Sequence, residues 1–158
     1  FFCARGSDSF SCSQPGLLSV LSAPLFGAIV SDVPLGAWDV AGALFFAVGL
    51  SFEAVADSQL ARFKNDPTNQ GKVLDTGLWR YSRHPNYFGE TVLWWGLYLF
   101  AVGAGQHWTV VGPLLITFLL LKVSGVTMLE ENLKSSRPGY EEYVERTSAF
   151  VPWPPKGS

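Results

Sequence analysis

Charge is scarce in this chain: 15% of its 158 residues are Asp, Glu, Lys or Arg, against about 25% in a soluble globular domain. Nor is there an excess of positive charge, with 11 Lys and Arg against 13 Asp and Glu, so a basic nucleic-acid-binding surface is excluded at the level of the whole chain and no nucleic-acid partner is expected. Cysteine is almost absent. Cys3 and Cys12 stand in a Ser-rich stretch with no His or Cys at zinc spacing, which leaves no metal site to assign. Residues 1–16 lack the long apolar core of an intact signal peptide. They read as an N-terminal extension or a processed end, with 17–158 as a single membrane domain. No internal repeat or low-complexity run is present.

What the chain has instead is apolar length. Hydrophobic residues make up 48% and aromatics 15%, including 12 Phe, 6 Trp and 5 Tyr. Leu17–Val30 is a short apolar stretch broken by Pro24, either a re-entrant piece or a crossing. Leu35–Ala56 carries Asp39 and Glu53 near its ends and only uncharged residues from Val40 to Phe52. Asn86–Gly105 has Glu90 as its one charge, and a helix of that length covers the roughly 30 Å hydrocarbon core. Thr109–Met128 is interrupted only by Lys122. The expected fold is therefore all-α: a multipass membrane bundle of three or four transmembrane helices with a C-terminal amphipathic tail. The turn at 103–107 should make the last two spans an antiparallel hairpin.

Basic residues orient this bundle. Arg62, Lys64, Lys72, Arg80 and Arg83 lie between the second and third spans, and Lys134, Arg137, Arg146 and Lys156 follow the fourth, whereas 31–34 and 103–107 carry none. By the positive-inside rule that face points to cytoplasm, stroma or matrix.

The densest polar information is Asp75–Glu90. Pro85 suits a first helical turn, Arg83 and His84 stand just before it, and Asn86 and Glu90 share one helical face. An ionisable group this deep in a span suggests function, although an interfacial cap would use the same residues. Glu53 and Asp57 form a second four-spaced pair, followed by Arg62 and Lys64. Gly89, Gly96 and Gly103 recur every seven residues and make a smooth face for close helix packing or for a ligand.

These elements together resemble the steroid 5-alpha-reductase-like membrane proteins of the DUF1295 type. The resemblance rests on Phe52-Glu53, Ala56-Asp57, Gln59, Phe63-Lys64, Gly77-Leu78-Trp79, Arg83-His84-Pro85-Asn86-Tyr87, Gly89-Glu90, Glu130-Glu131, Tyr140 and Tyr143, from about Ala37 to Pro155. The chain is also similar to sterol C14 and C7 reductases, and to isoprenylcysteine carboxyl and phospholipid methyltransferases. The resemblance to the reductases implies NADPH as cofactor: Asn86 and Glu90 at the nicotinamide end, Asp57, Lys64 and Lys72 at ribose and phosphates, Tyr81 and Tyr143 nearby, with Glu53, Arg83, His84 and Tyr87 completing the set. The methyltransferase likeness would instead place S-adenosylmethionine against Arg83, His84, Tyr87, Glu130 and Glu131.

The activity implied is NADPH-dependent reduction of a conjugated double bond in a lipophilic, steroid-like or isoprenoid substrate. One departure qualifies it. The family's substrate-side acid and tyrosine lie on helices before this region, and ahead of Leu35 this chain has only Asp8 and Asp32 as acids and no tyrosine. No catalytic residue is assigned. The same departure points to a second class, a non-catalytic accessory subunit of a larger membrane complex without turnover or bound cofactor of its own. Neighbouring subunits or lipid would then cover the Gly89, Gly96, Gly103 face.

Overall fold

The structure, a computed structural model, describes residues 22–29, 33–124 and 137–156. Among them every regular element is helical. Helix α1 is Ala23–Ile29, α2 is Ala37–Asn65, α3 is Pro85–Gly103, α4 is Val111–Phe118 running into a π turn at Leu119–Ser124, and α5 is Tyr140–Arg146. Short 3-10 turns occupy Pro67–Asn69, Gly77–Arg80 and His107–Val110. Residues 1–16 and the Glu130-Glu131 pair lie outside the described residues, as do parts of the first and fourth apolar stretches.

Helix α2 has no proline inside it. Its start is fixed by the Asp39 carboxylate, which accepts the Gly36 N–H at 2.7 Å and places negative charge at the positive end of the helix. Its end is set by Asp66-Pro67, because a residue before proline is pushed out of the α region; Asp66 sits at φ −90°, ψ 112°. The Asp66 carboxylate then accepts from the Thr68 hydroxyl and amide, which holds it below its ordinary pKa. At about 1.5 Å per residue the 29 residues of α2 reach about 43 Å, enough for a bilayer core plus two polar turns.

Helices α2 and α3 run antiparallel and touch backbone to backbone. A Cβ on Gly49 would stand 2.6 Å from the Gly89 carbonyl, one on Gly89 2.5 Å from the Glu53 nitrogen, and one on Gly96 2.6 Å from the Phe46 nitrogen. None of these has room for a side chain. Gly103 is looser, its nearest neighbour being Trp38 Cβ at 3.3 Å. The seven-residue glycine repeat thus serves helix packing, and Gly89 and Gly96 meet Gly49 and Gly42 on α2. This corrects the expectation that the face awaits a missing subunit.

The 103–107 turn, with Gly105 at φ +77°, sends the chain back along α3. Trp95 Nε1 donates to Thr117 Oγ1 at 3.3 Å, while Tyr87 and Trp94 pack on Ile116 and Leu120. That is the expected antiparallel hairpin. Helix α1 rests at the same end, where Gly27 faces Gln106 and Thr109.

Among the described helices α2 is the one long and apolar enough to cross a membrane. It leaves Trp38, Val40, Leu44, Phe45 and Val48 exposed. Helix α3 has nearly the length, 19 residues, but Asn86, Glu90 and its Trp and Tyr side chains dilute its apolar character.

Candidate functional site

The polar end of the α2–α3 pair is built by two segments fastened to each other. Gly77, at φ +61°, opens the 3-10 turn and lies so close to Gln59 that a Cβ would meet its amide at 2.6 Å. The Gln59 Oε1 accepts the Leu78 N–H at 3.0 Å and the Ala56 carbonyl accepts Trp79 Nε1 at 3.1 Å. Gly77-Leu78-Trp79 therefore pins the loop to the last turns of α2.

The C-terminal segment closes over that loop. Arg83 Nη1 donates to the carbonyls of Val144 and Thr147 at 2.9 and 2.7 Å, the oxygens that a helix C-terminus leaves without an internal partner. Its backbone N–H reaches the Ser148 carbonyl, and Ser82 Oγ donates to the Phe150 carbonyl at 2.7 Å. The Tyr143 hydroxyl donates to the Trp79 carbonyl at 2.5 Å, and Arg146 pairs with Asp75 at 2.5 Å. Burial, with Tyr140 beside it, raises the Tyr143 pKa above its ordinary value near 10. Helix α5 is amphipathic as expected: Tyr140 and Tyr143 face in, Glu141 and Glu142 face out. It lies back on the basic face.

Between these segments and the start of α3 is a cavity of about 350 Å³. Lys64 of α2, Arg83 and Arg137 bring positive charge to it, and Trp79, Tyr87, Tyr140 and Tyr143 supply aromatic walls. His84 is buried and stacks on Tyr87, with ring centroids 5.6 Å apart and planes 2° from parallel. Asn86 lines the cavity and donates from Nδ2 to Asp57 Oδ1 at 3.1 Å. Glu53 and Glu90 stand near Asp57 and form an acidic patch next to the cationic one. The site has two poles joined through Asn86.

Of the residues singled out from the sequence, Lys64, Arg83, His84, Asn86, Tyr87 and Tyr143 line one cavity, and Asp57, Glu53 and Glu90 adjoin it. Lys72 and Tyr81 are outside the lining: the Lys72 carbonyl accepts from Arg137, and Tyr81 is exposed, its carbonyl accepting the Trp153 N–H. Sequence reasoning did not assign Arg137, Tyr140, Trp79, Phe63 or Leu60, which also line it. The Tyr140-x-x-Tyr143 spacing was the available signal for one of them. Among the described residues no group of His, Cys, Asp or Glu could hold a metal ion.

The described residues are all-helical, with one membrane-capable helix and this polar clamp at its end. The model of the family described as a protein of unknown function, DUF1295, matches residues 8–147, and the chain belongs to that family. The match begins before Ala37, where the resemblance in the sequence becomes clear. Among curated relatives, an uncharacterized protein of Schizosaccharomyces pombe is 28% identical over 159 aligned positions, 85% of this chain and 45% of that protein. A protein named as a probable O-methyltransferase in Ustilaginoidea virens is 42% identical over 62 positions, 39% of this chain and 22% of that one. The chain thus spans under half the length of these relatives. No solved structure matches.

Proposed function

We propose that the chain is a multipass membrane protein of three or four spans whose cavity at the start of α3 binds NADPH in the service of reducing a conjugated double bond in a lipophilic, steroid-like or isoprenoid substrate. The observation that carries this reading is the convergence of Lys64, Arg83 and Arg137 on one aromatic-walled cavity. Phosphate oxygens are the ligand chemistry that guanidinium and ammonium groups recognise best, and the tyrosine and tryptophan faces suit a planar heteroaromatic ring. When bound, NADPH supplies the hydride. The residues of this chain position it: Lys64 offers a mobile point charge, Asn86 is held by Asp57 to present its amide, and the His84–Tyr87 stack at the start of α3 forms part of the cavity wall. The acidic patch of Glu53, Asp57 and Glu90 suits positive charge on the oxidised ring.

A second reading, an S-adenosylmethionine-dependent methyltransferase of the isoprenylcysteine or phospholipid type, is favoured by the stretch shared with the probable O-methyltransferase. A sulfonium could face the same acidic patch. The two readings divide on phosphate, which S-adenosylmethionine lacks. Nicotinamide fluorescence of the reconstituted chain reads this directly: NADPH should bind more tightly than NADH, and Lys64→Ala should weaken NADPH about tenfold. Equal binding of both cofactors removes the role of the 2′-phosphate, and no effect of Lys64→Ala removes Lys64 from phosphate recognition.

The span count and the orientation are tested by labelling in sealed vesicles. Cysteines placed at Lys72 and Glu145 should react from one side and one at Gln106 from the other. Labelling of Gln106 and Lys72 from the same side contradicts the bundle. Lipid, a lipophilic small molecule and neighbouring membrane subunits are the partners this arrangement would meet.

A further inference from the structure

A second basic pocket, about 460 Å³ in volume, opens on the other side of the Gly77–Arg80 turn, outside the cavity described above. Asp75, Thr76, Gly77, Arg80, Arg146 and Lys156 line it. Three bases against one acid leave an excess of two positive charges, and the acid is already committed, since Asp75 pairs with Arg146 at 2.5 Å. Among the described residues neither the Arg80 guanidinium nor the Lys156 ammonium has a hydrogen-bond or ion-pair partner. With the Asp75 carboxylate taken up by Arg146, two further cations in the same concavity define a place for an anion.

The pocket is also held in shape. Lys156 is brought to it by its own N–H, which donates to the Arg146 carbonyl at 3.0 Å, and Trp153 is fixed through its N–H to the Tyr81 carbonyl at 2.9 Å. The side chains of Val151 and Trp153, a few residues before Lys156, are exposed. An exposed tryptophan next to unpaired basic side chains, on the basic face of a chain with a membrane-capable helix, is the arrangement of a membrane–water boundary.

We propose that Arg80 and Lys156 hold a phosphate group in this pocket, presented by an anionic phospholipid headgroup while Trp153 and Val151 rest at the acyl boundary. The site is independent of the cofactor assignment. Each basic side chain at an anionic surface contributes about fivefold in affinity.

Native mass spectrometry of the full chain in detergent, titrated with phosphatidylglycerol or phosphatidylcholine, tests it, with inorganic phosphate as a parallel arm in thermal melts. Retention of phosphatidylglycerol should exceed that of phosphatidylcholine at least fivefold. The Arg80→Ala/Lys156→Ala double variant should lose this preference, Arg80→Lys should keep most of it, and NADPH binding should be the same in all three proteins. Stabilisation by inorganic phosphate equal to that by phosphatidylglycerol would keep the phosphate site and overturn the lipid source. No lipid preference and no phosphate effect in the unaltered chain, or a preference that survives the double variant, overturns the site.

Discussion

The two ends of the α2–α3 pair are held by opposite means. Along most of their length the helices meet through glycine, with Gly42, Gly49, Gly89 and Gly96 letting backbones approach to distances that leave no room for a Cβ. At the polar end the loop joining the pair is fastened to the C-terminal segment by hydrogen bonds and charge, with Arg83, Ser82, Tyr143 and Arg146 each reaching across more than sixty residues of sequence. In the bilayer proposed for this pair, the difference follows from the solvent. Lipid tails are as apolar as leucine side chains, so close van der Waals contact of small residues is what can hold helices together there, whereas carbonyls at the end of α5 are left unpaired unless side chains reach them.

If that contrast is right, the glycine seam should be intolerant of size and the clamp intolerant of lost donors. Gly49→Leu drives a side chain into the backbone of α3 and should cost about 3 kcal/mol or more, separating the helix pair; unfolding in mixed detergent reads the loss. Arg83→Ala leaves the Val144 and Thr147 carbonyls without their donor and should cost about 2 kcal/mol. Its signature is early protease cleavage within 140–156 while α2 and α3 persist. Cleavage no faster than in the unaltered chain would mean that Arg83 serves a ligand alone.

The smallest effect expected is at Tyr143. Tyr143→Phe removes the hydrogen bond to the Trp79 carbonyl and should cost about 1 kcal/mol near neutral pH. The sign with pH is fixed by the raised pKa of this hydroxyl. Its contribution is fully present below the ordinary tyrosine value near 10 and is lost as pH rises beyond it. Melts between pH 9 and 11 should show the unaltered chain losing stability faster than Tyr143→Phe.

The glycine repeat on α3 was legible because one helix carries it at a fixed period. Its counterpart on α2, Gly42 and Gly49, was hidden inside a continuous apolar run, where small residues look like any other part of a span. The polar end was legible through its charges and the Arg83–Glu90 element. Its cavity was legible only in part, since Leu60, Phe63, Trp79 and Arg137 come from separate elements whose meeting has no periodicity. The capping of α5 by Arg83 depends on where that helix ends in space, and no spacing along the chain encodes it.

The cofactor assignment is most directly tested by calorimetric titration of the reconstituted chain with NADPH and with S-adenosylmethionine side by side, repeated on Asn86→Ala. NADPH should release heat and bind saturably, S-adenosylmethionine should not, and Asn86→Ala should weaken NADPH by about 1 to 3 kcal/mol, the cost of leaving a polar partner unmatched. Saturable S-adenosylmethionine binding with no NADPH heat would contradict the assignment and make the cavity that of a methyltransferase.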